Sequence, residues 1–281
     1  MNKKPLSINF HLTERCNMHC QYCFAKYGCE NFKEQTLSLY QYYKIIEQIA
    51  KEGFSKISFA GGEPLLHPML PELIRFTKQL GITTMLVTNG ALLTPEFLQG
   101  MGGSLDWVSI SMDSLCTETN LKIGRVFRGT GMTEEQYRQR VEWVKQAGMR
   151  LKINTVVSSV NKNENFVPFI NDAAPERWKV FQVLPIENAN RGRVDAFLIG
   201  RDDFKRFLEN NGKVSACVVP ESNGDMIDSY VMIDPQGRLY SNTDNLLSYS
   251  EPIYRFPLKR ALQDAGFLLD KFLRRGGAYA W

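Results

Sequence analysis

Two rhythms alternate along residues 6–185. Short runs in which apolar and polar residues take turns predict strands; longer runs with an apolar residue every three or four positions predict helices. LSINFHL (6–12) predicts the first strand, and a helix over about 37–53 follows, with Leu37, Tyr40, Tyr43, Ile46 and Ile49 along one stripe. KISFAGG (56–62) predicts the second strand, followed by a helix near 68–80 and a strand at TMLVTNG (84–90). Thr94-Pro95 opens a short helix leading to the strand DWVSISMDS (106–114). A helix of about 133–147 ends at Gly148, as a C-terminal glycine would end it. Strands at RLKINTVV (150–157) and WKVFQVLP (178–185) complete the series, with a short apolar helix at about 164–173 between them.

Strands separated by helices at this spacing pair in parallel, each helix being a crossover. Six strands before residue 190 are too few for a closed eight-stranded barrel, which leaves a partial barrel or an open doubly wound sheet. The strand faces separate these α/β alternatives. Strands covered on both sides are apolar nearly throughout. Here one face carries Asn9 and His11, Lys56 and Ser58, Ser109 and Ser111, Lys152 and Asn154, then Arg177 and Lys179. The other face carries Ile8, Phe10, Ile57, Phe59, Ile153 and Val180. A polar face repeated on successive strands fits a wet lumen, with helices covering the apolar side. An antiparallel sheet with one wet face would alternate similarly, but the intervening helices argue against it. The expected architecture is therefore a partial (β/α)6 barrel over residues 1–190, with residues 191–281 as an extension packed on the barrel and closing over its site, all one structural unit. The lumen would be basic, which suits a polyanion.

Composition narrows the setting. Hydrophobic residues make up 43% and charged residues 23% of the 281, ordinary for a globular chain that needs no covalent staples. The net charge of +4 does not by itself call for nucleic acid or an anionic membrane. No apolar run of about 18 residues appears, and MNKKPLSINF lacks the apolar stretch of a signal peptide. A cytoplasmic protein without membrane attachment is expected, and in a reducing compartment clustered thiols suggest metal rather than disulfide.

Of the six cysteines, Cys29, Cys116 and Cys217 are scattered, but Cys16, Cys20 and Cys23 fall within ERCNMHCQYCF (14–24). A disulfide would leave the third thiol unexplained. A zinc site would need a second pair or suitably spaced histidines; His19 lies inside the cluster, but nothing downstream repeats the pattern. Chance burial of three thiols beside a strand end would be unusual. A four-iron cluster takes four thiolates when fully ligated; three would leave one iron open for chemistry. The loop after the first strand is also where parallel α/β folds place active sites.

The C-x3-C-x2-C spacing, with Tyr22 before the last cysteine, resembles the radical S-adenosylmethionine (SAM) superfamily. Gly61-Gly62-Glu63-Pro64, ending the second strand, resembles that superfamily's GGEP motif. Paired glycines permit close backbone approach, and Glu63 could accept from an ammonium. The resemblance implies a [4Fe-4S] cluster on the three cysteines and SAM on its open iron. SAM cleavage would then give a 5′-deoxyadenosyl radical that abstracts hydrogen. It also marks Tyr22, Thr88, Asn89, Ser111 and Arg125 for SAM, the last two near its ribose and carboxylate.

Longer segments narrow the family. NFHLTERCNMHCQYCF, RWKVFQVLPIEN (177–188), VPESNGDMIDSY (219–230) and FLRRGGAYAW (272–281) resemble viperins, and the short form resembles their prokaryotic branch. That resemblance implies an antiviral lyase that dehydrates a nucleoside triphosphate, typically CTP and in some members UTP or GTP, to its 3′-deoxy-3′,4′-didehydro form. It implies nucleotide contacts at Asn9, Lys56, Lys152, Asn154, Arg177 and Lys179. It also implies a γ-phosphate loop at Arg274, Arg275, Gly276 and Gly277, where glycine amides beside two cations could cradle an anion; Tyr279 and Trp281 so near the end suggest a docked tail. An electron donor such as a flavodoxin or ferredoxin, and a monomeric state, go with it. Only about six residues precede the first strand, so the membrane helix of animal members is not expected. Maturation partners that use the longer vertebrate tail are not implied by the resemblance. A radical SAM enzyme modifying a peptide or small anion would commonly add a cysteine-rich C-terminal region, yet beyond residue 116 only Cys217 remains. A zinc-dependent nucleic-acid-binding module would instead show zinc without iron and salt-dependent binding.

Overall fold

The computed structural model describes residues 6–25 and 37–280; Cys29 and Trp281 lie outside them. The alternating runs form β1 (Ser7–His11), β2 (Lys56–Ala60), β3 (Thr83–Thr88) and β4 (Trp107–Ser111). A small separate hairpin, β5 (Val126–Phe127) with β6 (Thr130–Gly131), precedes β7 (Arg150–Val157) and β8 (Arg177–Gln182). The crossover helices are α1 (Leu39–Lys51), α2 (Leu70–Gln79), α3 (Pro95–Gly100), α4 (Thr117–Ile123), α5 (Glu134–Gln146) and α6 (Val167–Ala173). β1, β2, β3, β4, β7 and β8 lie side by side in chain order, and every pair is parallel. A doubly wound sheet reverses its order at a switch point; this one does not.

The period of two divides the faces as expected. Ile8, Phe10, Ile57, Phe59, Ile153 and Val180 are at most 1% exposed and belong to one core beneath the helices. Tyr42, Ile45, Ile46 and Ile49 of α1 join it from the helix side. Ser38 starts α1 through a reciprocal capping box with Gln41. Gly148, at φ +68°, follows the end of α5. The predicted strand 84–90 stops at Thr88, because Asn89 is drawn toward Glu63 and Gly90 turns the chain at φ +82°.

The C-terminal third contributes α7 (Arg201–Asn211), β9 (Cys217–Glu221), the single turn α8 (Asn223–Met226), β10 (Met232–Ile233), β11 (Arg238–Ser241), β12 (Ser248–Pro252), α9 (Leu258–Asp264) and α10 (Leu269–Arg274). Its strands extend the sheet at both ends. β9 adds parallel to β8, and β10 adds parallel to β1 and carries the antiparallel β11 and β12. Among the described residues, no helix is long and apolar enough to cross a membrane.

Candidate active site

The polar faces of the parallel strands meet around one cavity of about 320 Å³. Ser7, Asn9 and His11 of β1 line it, with Lys56 and Ser58 of β2, Val87 of β3, Lys152 and Asn154 of β7, and Arg177 and Lys179 of β8. Only a curved sheet lets one face of five strands share a cavity. Cys20, Tyr22, Cys23 and Arg125 reach it at the carboxyl ends of the strands; Arg275, Gly276, Gly277 and Tyr279 reach it from the C-terminal tail. Ser109 and Ser111 do not line it. Arg274 is exposed and also outside the lining.

Burial weakens the lysines as cations. It brings Lys152 down to about 8, with Glu221 opposing, and lowers Lys56 strongly with help from neighbouring positive charge. Glu221 on β9, which sequence patterning did not flag, is the counterion. Its carboxylate is fully buried, 2.5 Å from Lys179 Nζ and 3.0 Å from Arg275 Nη1. Burial pushes its carboxyl up, but those two cations outweigh it and hold it below the usual range. The Tyr230 hydroxyl donates to the same carboxylate and accepts from Lys179 Nζ at 2.6 Å. At the other end of the cation row, Lys56 Nζ donates to Tyr279 Oη at 2.6 Å, and the Arg177 guanidinium lies 3.8 Å from the Tyr279 ring centroid. The tail is thus docked through Tyr279, which also meets Trp107 edge-on.

In the RRGG segment the glycine amides are engaged within the tail itself. The Gly276 and Gly277 amides donate to Leu273 O at 3.0 Å and Phe272 O at 2.8 Å, so they close the end of α10 rather than cradling an anion. A Cβ on Gly277 would lie 2.6 Å from the Phe272 ring. Arg275 carries the cationic role into the cavity, while the Gly276 carbonyl accepts from Arg177 Nη2 at 2.9 Å.

At the opposite rim, the glycines after β2 are required by the cysteine loop itself. Gly61 has φ +147°, and a Cβ there would lie 2.6 Å from Thr13 O. A Cβ on Gly62 would run into Arg15 O. Without side chains, Gly62 N donates to Thr13 O at 2.6 Å and Glu63 N to Arg15 O at 2.8 Å. The motif suggested Glu63 as an acceptor for an ammonium. It is fully buried and accepts from Thr88 Oγ1, Asn89 N and Leu65 N at 2.8, 2.8 and 3.1 Å. Burial pushes its carboxyl up to about 7. Thr88 therefore braces Glu63, and Pro64 starts the 3-10 turn that Glu63 caps. Asn89 bridges to the loop through Asn17 Oδ1 at 2.7 Å and Cys16 Sγ at 3.8 Å. Ser111 contributes its carbonyl, which accepts from Arg125 Nη1 at 3.4 Å. Arg125 is paired with Asp113, which patterning missed; the same carboxylate accepts from Tyr22 Oη at 2.6 Å.

Cys16, Cys20 and Cys23 line a second cavity together and are all free thiols. Burial raises Cys16 and takes Cys20 up to about 12. Among the described residues, no three His, Cys, Asp or Glu side chains converge to hold a single metal ion. Three thiols sharing one cavity are a donor set that suits a four-iron cluster and leaves one of its irons without a protein ligand.

The radical SAM superfamily model matches residues 10–173, more than half of the chain. The S-adenosylmethionine-dependent nucleotide dehydratase of Flammeovirga pacifica is 42% identical, with 98% of this chain and 96% of that relative covered. One of the same name from Lacinutrix mariniflava is 45% identical, with 98% of this chain but only 58% of the relative covered. The S-adenosylmethionine-dependent nucleotide dehydratase RSAD2 of Oncorhynchus mykiss is 33% identical, covering 99% and 81%. The chain belongs to the radical SAM nucleotide dehydratase family. Solved structures similar to this radical SAM chain include Streptococcus suis SuiB bound to S-adenosylmethionine, with TM-score 0.70 at 15% identity over 96% of this chain and 67% of that one. Another is anSMEcpe with bound AdoMet, with TM-score 0.68 at 18% identity over 95% and 81%. At those identities the likeness is one of fold. Membership implies a [4Fe-4S] cluster and SAM as cofactors. The three thiols and the glycine-tightened loop beside them fit that pair.

Proposed function

We propose that this chain dehydrates a ribonucleoside triphosphate to its 3′-deoxy-3′,4′-didehydro form, with CTP the expected substrate and UTP or GTP the next. One observation carries the reading: a single cavity joins the cysteine loop to a row of buried cations. A triphosphate bears about four negative charges and calls for several charged donors, preferably including planar guanidinium forks. Lys56, Lys152, Arg177, Lys179 and Arg275 supply them, while Gly276 and Gly277 bring the tail backbone alongside. Anchored there, the nucleotide would extend its ribose toward the carboxyl ends of the strands. Asn9 and Asn154 lie along that path, and Asn154 Oδ1 is a buried acceptor with no hydrogen-bond partner among the described residues.

At the rim, Cys16, Cys20 and Cys23 would ligate the cluster. Tyr22, Arg125, Asn89 and the Gly61–Gly62 backbone would shape the SAM site, with Arg125 positioned by Asp113. Bound together, the cofactors supply the radical that removes a ribose hydrogen. The chain's own part is to hold the triphosphate fixed, so that one ribose carbon faces that radical, and to keep bulk water out. An electron donor of the flavodoxin or ferredoxin kind completes the cycle.

The deciding experiment is mass spectrometry of products after anaerobic reconstitution, with SAM, reductant and a mixture of all four triphosphates. One triphosphate is expected to lose the mass of a water molecule while 5′-deoxyadenosine accumulates. Deoxyadenosine release that no triphosphate stimulates, with no dehydrated product, would refute the substrate assignment.

A further inference from the structure

The chain that follows β8 lines the cation cavity at Val183, Leu184 and Ile186 and then holds the backbone of the cysteine loop. Asn190 Nδ2 donates to Tyr22 O at 2.8 Å and Leu184 O at 3.0 Å, and Asn190 Oδ1 accepts from Ile186 N at 2.7 Å. Arg193 donates from Nη1 to Gln21 O at 3.2 Å, and from Nη2 to Cys23 O at 3.3 Å and Ala189 O at 2.9 Å. The carbonyls of Gln21, Tyr22 and Cys23 are thus all taken by one short segment. Arg193 also lines the second cavity together with the three cysteines. Arg191, two residues earlier, is neutralised by Glu187 and Asp195. None of the ion pairs among the described residues involves Arg193.

We propose that Arg193 is a positioning residue for the iron–sulfur cluster, fixing the backbone of its third ligand and setting beside it a positive charge with no ion-pair partner among the described residues. A cluster held by thiolates gains negative charge on reduction. A nearby cation, and donors that polarise the ligand backbone, favour that reduced state and raise the potential. Arg193 therefore makes the cluster easier to reduce. The inference rests on the cluster and not on the nucleotide, so it stands or falls separately from the substrate assignment.

The test compares the reconstituted parent with R193K, R193Q and R193A in iron content, unfolding midpoint and cluster midpoint potential by EPR-monitored titration. R193K keeps the charge and R193Q keeps a donor without it. The potential is expected to stay near the parent value in R193K and to move negative in R193Q and R193A. A potential unchanged in R193Q would overturn the proposal, whatever happens to stability, and would leave Arg193 a backbone brace. An equal shift in R193K and R193Q would overturn the charge assignment. If R193A does not load iron, the R193K and R193Q pair still decides.

Discussion

Lys152 shows how burial couples charge to ligand. Its ammonium is pushed down to about 8, largely by loss of water, so the free protein holds it only partly protonated at mildly alkaline pH. A bound triphosphate would favour the charged form and raise that value. Binding should then take up protons between about pH 8 and 9, and affinity should fall as pH rises through that window. Calorimetry in two buffers of different ionisation enthalpy measures the uptake directly. Lys152→Ala should reduce it and weaken binding by about 1.5–3 kcal/mol, the scale of a hydrogen bond to a charged group. Unchanged proton uptake in that variant would assign the effect elsewhere. Lys152, like Lys56, Arg177 and Lys179, was legible in the sequence, because a strand's period of two dictates which side chains share a face. Glu63 was legible from its motif, but its three protein donors were not. Whether a carboxylate meets a ligand or three protein donors depends on how the ends of β2 and β3 approach.

At the level of elements, the barrel strands could be read from their runs, whereas β9 and β10 could not. β10 is two residues long, and β9 holds a proline; neither has enough alternation to register, and both owe their place to pairing with distant β1 and β8. With β9 went Glu221, and with the loop before β10 went Tyr230, so half of the charge balance of the lumen was hidden. The same holds for Asn190 and Arg193, which lie in an irregular stretch without period. Glu221→Gln tests the importance of that hidden half. It would leave Lys179 and Arg275 buried without their carboxylate, which should cost about 3–5 kcal/mol in the free protein. Added triphosphate should restore part of that loss, giving a larger thermal upshift in the variant than in the parent. Equal upshifts would show that Glu221 does not compensate the same cations as the ligand.

Across the whole molecule, the cavity draws on both termini of the described chain. Lys56 and Tyr279 meet across 223 residues, and Gln48 reaches Leu258 across 210. Contacts this remote in sequence make for slow, late assembly of the lumen. They also explain why the cluster motif was plain in one short stretch while its ligand chamber was not. The two extensions of the sheet have a further effect. If β1 and β8 were outermost, their unpaired backbones would present open templates for another chain. In the ten-strand order the outermost strands are instead β12 and β9, and each carries a proline: Pro252 ends one and Pro220 sits within the other. A proline has no amide to offer a newcomer, so both borders resist intermolecular strand addition. Pro220→Val should leave cluster loading intact but make concentrated protein prone to self-association, visible as a rise in light scattering on standing. A colloidally silent variant would show that the border is guarded by something other than its proline. On this reading the same C-terminal third that contributes Arg275 and Tyr279 to the cavity also keeps the sheet from recruiting a second molecule.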